Sequence, residues 1–108
     1  MSIMAAIQMV SGHSVAGNLT EAADLLNQAA DRGARLAVLP ENFALMGRRE
    51  TDNVAICEVE GSGPVQDFLA EQALRHRLWL VGGTISLHSG EDDSDRVRAA
   101  CLLFDDQG

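Results

Sequence analysis

The chain has 108 residues, a formal net charge of −8, 46% hydrophobic residues and a pI near 4.6. That composition fits one small globular domain and excludes a charged disordered segment. The acidic balance argues against nucleic acid and anionic membranes as partners, no apolar run reaches a membrane span, and Met1-Ser2-Ile3-Met4-Ala5-Ala6 lacks the basic flank of a secretory signal, so a cytoplasmic protein is expected.

The apolar run Ile3 to Val10, closed by Ser11-Gly12, predicts a buried first strand. Val15, Leu19, Ala22, Leu26, Ala29 and Gly33 recur at three and four residues and put a helix face against the core. Ser14 and Asn18 are alternative starts for that helix; Asn18 with Glu21 has capping-box-like spacing. Gly33 suits its end. Leu36-Ala37-Val38-Leu39 predicts a second buried strand, stopped by Pro40. From Glu41 to Ser62 no period is visible, and a loop is expected.

Pro64 suits the first position of a second helix with Val65, Phe68, Leu69 and Ala73 inward. Asp67 near its start and Arg75 to Arg77 near its end complement the helix dipole. Leu78 to Leu87 predicts a third strand, and the Gly82-Gly83 pair inside it predicts a bulge or a close backbone approach. Ser89 to Asp95 is an acidic loop without the pattern of a calcium loop. Val97 to Phe104 predicts a fourth strand, a hairpin partner for the third, and Asp105-Asp106-Gln107-Gly108 a turn. Strand, helix, strand, helix, strand, strand is an α/β order. Right-handed crossovers then put the second strand between the first and third, with both helices on one face. A turn that leads to no further strand suggests the N-terminal portion of something longer, with residues 1–108 an incomplete domain.

Glu41 is the main candidate for chemistry. It follows Leu39-Pro40 at the carboxyl end of a buried strand, where open α/β sheets gather their catalytic groups. A carboxylate partly desolvated there suits a general base. The plainer alternative is a structural acid paired with Arg48 or Arg49. His13, His76 and His88 are scattered. Gly61-Ser62-Gly63-Pro64 opens a helix and could hold an anion on its backbone N–H groups, though it lacks a nucleotide-binding pattern, and a turn accounts for it. Cys57 and Cys101 form no metal-binding pattern, so no metal and no cofactor are expected. Reduced thiols are expected, with Cys101 buried in its apolar run.

Ala5-Ala6-Ile7-Gln8-Met9, the helix from Asn18, and Gly33-Ala34-Arg35-Leu36-Ala37-Val38-Leu39-Pro40-Glu41-Asn42-Phe43 resemble the N-terminus of the nitrilase, or carbon–nitrogen hydrolase, superfamily. The resemblance continues through Glu60-Gly61, the helix from Pro64, Leu78-Trp79-Leu80-Val81-Gly82-Gly83, and Ala100-Cys101-Leu102-Leu103-Phe104-Asp105. Leu-Pro-Glu-x-Phe is its specific part. It implies a four-layer αββα sandwich, hydrolysis of a small-molecule amide, and a Glu-Lys-Cys triad in which the cysteine forms a thioester. Only the glutamate carries over, onto Glu41. The lysine and the cysteine are expected beyond Gly108, in keeping with a chain whose eight basic residues are all arginine. By the same resemblance neither Cys57 nor Cys101 is the nucleophile. The amidase branch that acts on deaminated glutathione is most similar, with omega-amidases close behind, and a homo-oligomer is expected at full length. The competing readings are a non-catalytic α/β binding module and an enzyme that transfers acyl groups to amines.

Overall fold

The computed structural model describes residues 2–46, 56–88 and 97–108. Its elements are β1 (Ile3–Ala6), α1 (Val15–Asp31), β2 (Ala34–Val38), α2 (Pro64–His76), β3 (Trp79–Val81), β4 (Ile85–His88), β5 (Val97–Ala100) and β6 (Leu103–Phe104). One sheet has the order β1-β2-β3-β6, parallel through β3, with β6 antiparallel to it. The antiparallel pair β4-β5 forms a second sheet. The helices touch each other, α1 lying along β2 and α2 along β3 and β6. This is the expected α/β layout, with β2 central and both helices on one face.

Ser14 caps α1 by accepting from the Gly17 N–H at 3.1 Å, so the helix starts at Val15 and the Asn18 start is corrected. Asn18 sits inside the helix on its inner face beside Ala22, Leu26 and Ala29, and its side chain is committed elsewhere. Gly33, at φ 86°, ends the helix as expected.

The start of α2 has a cap that local spacing does not reveal. Gly63 has no side chain, and the Glu58 carboxylate takes its place. Its oxygens accept from the Val65 N–H (2.7 Å), the Gln66 N–H (3.1 Å) and Gln66 Nε2 (3.0 Å). A Cβ on Gly63 would collide with that carboxylate. Gly61-Ser62-Gly63-Pro64 is the turn expected, with the Gly61 N–H donating to Gln66 Oε1 at 2.7 Å and the Ser62 N–H to the Val59 carbonyl at 3.0 Å, and the anion held by the N–H groups that follow Pro64 is the Glu58 carboxylate. Removing it leaves buried N–H groups unpaired, so Glu58→Ala is expected to cost about 2–3 kcal/mol. Urea unfolding checks this; an unchanged midpoint would show that the cap contributes nothing. At the other end of α2, His76 is held below its ordinary pKa by burial and the neighbouring Arg75, with Asp31 acting the opposite way.

The third and fourth strands do pair as a hairpin, but neither is continuous. β3 pairs with β6 (Leu80 opposite Phe104) and β4 with β5 (Ile85 opposite Ala100). Between them Gly82, Gly83 and Thr84 oppose only Cys101 and Leu102. The extra residue is the expected bulge, and it passes the hairpin from one sheet to the other. Gly83 has φ +63°, and a Cβ there would collide with the Pro40 and Leu39 carbonyl oxygens. The close backbone approach is thus between this bulge and the end of β2. Alternation across the jog turns Leu102 toward the core and Cys101 outward. The expected burial of Cys101 is corrected on that ground.

The first two strands are also less buried than expected. Ala37 and Leu80 face the helices and are fully buried. On the opposite face, Met4, Leu36 and Trp79 form one row, and Ala6, Val38, Val81 and Leu103 the next. Met4 is 73% exposed and Leu103 60%. No described residue forms a layer over this face, and β1 is a sheet edge. The final turn is as expected, with the Gln107 N–H donating to Asp105 Oδ1 at 3.0 Å. The acidic loop from Ser89 to Asp95 and the two arginines at 48 and 49 lie outside the described residues.

Candidate active site

Glu41 stands where the carboxyl end of β2 reaches the loop edge of the sheet. Its neighbours are anchors. Before it, Leu39 is buried and donates its N–H to the Val81 carbonyl at 3.0 Å, and Pro40 ends the strand. After it, Phe43 is fully buried, its ring 6.4 Å from that of Phe68, and Ala44 and Leu45 are buried too. Leu39 and Phe43 therefore pin the backbone on both sides, which is what Leu-Pro-Glu-x-Phe does physically.

Polar clamps add to these anchors. The Ser11 hydroxyl donates to the Phe43 carbonyl at 2.7 Å, and the Met46 N–H to the Gly12 carbonyl at 3.0 Å. Asn18 is buried and reaches from α1 into both loops. Its Nδ2 donates to the carbonyls of Gly12 (3.0 Å) and Ala44 (2.8 Å), and its Oδ1 accepts from the Gly12 N–H (2.9 Å). Across the loop, Glu41 bridges Thr84 in the parallel sense, and the Asn42 N–H donates to Thr84 Oγ1 at 3.0 Å. Asn42 itself is left-handed, at φ 52°.

The Glu41 side chain is exposed, and its carboxylate has no hydrogen-bond or ion-pair partner among the described residues. The desolvation expected of it is absent within these residues. What they enclose is its backbone. The arrangement fixes the backbone from which the carboxylate projects at the loop edge of the sheet.

Of the other candidates, one comes to the same edge. β1 and β2 are parallel, so the loop carrying His13 lies at the same edge as Glu41. His76 is in the last turn of α2. His88 is half-buried, with its Nδ1 3.3 Å from Cys57 Sγ. Among the described residues no three His, Cys, Asp or Glu side chains gather as metal ligands. No described helix is long and apolar enough to cross a membrane. Sequence reasoning missed Asn18 as a clamp, although a polar residue on the inner face of an amphipathic helix was its signal. It missed Glu58, signalled only by a helix start with no capping side chain.

Residues 3–108 match the carbon–nitrogen hydrolase family. Deaminated glutathione amidase of Yersinia enterocolitica is 30% identical over 105 residues, which is 97% of this chain and 36% of that protein. The Synechocystis protein of the same name is 35% identical over 81 residues, 75% of this chain and 29% of that one. The chain thus spans about a third of the length of these relatives. Among solved structures, Saccharomyces cerevisiae Nit3, a member of branch 10 of the nitrilase superfamily, superposes with a TM-score of 0.77 at 26% identity, covering 91% of this chain and 37% of that one. The Caenorhabditis elegans NitFhit protein has the same fold here, with a TM-score of 0.82 at 21% identity over 99% of this chain and 26% of its own. The chain belongs to the carbon–nitrogen hydrolase family.

Proposed function

We propose that these 108 residues supply the general-base portion of an amidohydrolase. Glu41 takes the proton of a cysteine thiol beyond Gly108, and the thiolate attacks the amide carbon. Glu41 returns that proton to the leaving nitrogen as the carbon–nitrogen bond breaks, ammonia leaves, and water, giving a proton to Glu41, hydrolyses the resulting thioester to the acid and releases the cysteine. A lysine, also beyond Gly108, stabilises the tetrahedral intermediate. The observation that carries this reading is the place of the carboxylate, exposed and without a partner among the described residues, on a backbone pinned by Leu39 and Phe43 at the carboxyl end of β2. The open face of the four-stranded sheet fits the remaining layers of a four-layer αββα sandwich, and a cytoplasmic homo-oligomer is the expected form.

The substrate proposed is deaminated glutathione, in line with the names of the relatives; a short omega-amide is the second reading, supported by the 28% identity to the chloroplastic omega-amidase of Arabidopsis thaliana. Ammonia release from both, measured side by side on the full-length protein, tests this. A higher kcat/KM on deaminated glutathione supports the first, a higher one on the omega-amide the second. No release from any amide would leave a non-catalytic α/β binding module.

A further inference from the structure

We infer that Thr84 is the positioning residue of the site, a role that rests on the general-base reading of Glu41. The Glu41 carboxylate has no partner among the described residues, so what the fold fixes is the backbone at positions 41 and 42 from which it projects. That backbone turns at Asn42, which is left-handed at φ 52°, a conformation uncommon in non-glycine residues but tolerated by asparagine, and a neighbour fixes the turn by a hydrogen bond.

The neighbour is Thr84. Its backbone bridges Glu41, and its Oγ1 accepts the Asn42 N–H at 3.0 Å. Thr84 is carried there by the bulge at Gly82-Gly83, whose left-handed Gly83 lets the Pro40 carbonyl approach. The hairpin jog and the carboxylate are thereby one assembly. The hydrogen bond is part-buried, so a side chain of the same volume without the hydroxyl removes the protein acceptor of the Asn42 N–H.

Thr84→Val removes the oxygen and keeps shape and strand preference; Thr84→Ser keeps the oxygen. In the full-length protein, with a short aliphatic amide as substrate, Thr84→Val is expected to lower kcat by on the order of 10–100-fold, with KM within about twofold. Thr84→Ser should restore kcat to within about threefold. Amide exchange of the peptide containing Asn42 should quicken about tenfold in the valine variant and not in the serine variant. Wild-type kcat in Thr84→Val, a rise in KM alone, or no recovery in Thr84→Ser would each overturn the inference. Where Thr84→Val does not fold, Thr84→Ala is read by the same criteria. Glu41→Gln run in parallel separates the two claims. If it is inactive while Thr84→Val is fully active, only the positioning role fails; if it is active, the general-base reading fails and the positioning role with it.

Discussion

Glu41→Gln in the full-length protein is expected to lower the rate of acylation by about 10²–10⁴-fold, the usual worth of a positioned general base. The amide keeps the shape of the carboxylate and cannot take a proton from a thiol. The structure also predicts what will not change. The side chain is exposed and unpaired among the described residues, and Leu39 and Phe43 hold the backbone without it. Stability should therefore stay within about 0.5 kcal/mol of wild type, as for other surface substitutions. Loss of turnover with an unchanged unfolding midpoint is the expected pair of results. Near wild-type turnover would remove Glu41 from the mechanism.

The 108-residue chain by itself is expected to be catalytically inert and to self-associate. A thioester mechanism needs a nucleophile and a cation for the oxyanion. The chain has no lysine, and neither of its cysteines is the nucleophile proposed: Cys57 lies half-buried against His88, and Cys101 is exposed at the hairpin jog. The sheet face formed by Met4, Leu36, Trp79, Val38, Val81 and Leu103 is apolar and open, and such a patch associates when nothing covers it. Light scattering across a concentration series should show species larger than a monomer, and no ammonia should appear above background. A stable monomer would contradict the surface argument. Turnover lost on Cys57→Ala or Cys101→Ala would contradict the assignment of the nucleophile.

The parts of this structure legible in the sequence are those governed by local period and local motif. The inner face of α1, the end of that helix at Gly33, the place of Pro64 in α2 and the order of β1, β2 and β3 all follow from spacing. So does the position of Glu41, because Leu39-Pro40 ends a strand and Phe43 is a large apolar residue with somewhere to go. Two of the misreadings come from apolar runs. Ile3 to Val10 and Leu36 to Leu39 look doubly buried because apolar residues occupy both faces, but only the face toward the helices is covered by the described residues. Leu78 to Leu87 and Val97 to Phe104 look continuous because a bulge that moves a hairpin between sheets leaves the apolar run intact. The polar clamps are the least legible. Asn42 and Thr84 are 42 positions apart, and no periodicity relates residues that meet only in the fold.

The most direct test is to find where the acyl group rests during turnover. The full-length protein is quenched with a short amide bound in steady state, and the hydroxylamine-labile acyl adduct is located by peptide mass. The account predicts the adduct on a cysteine beyond Gly108, clean peptides for Cys57 and Cys101, and no adduct in Glu41→Gln. Acyl group on either of those two cysteines, or equal accumulation in the Glu41→Gln variant, would contradict it.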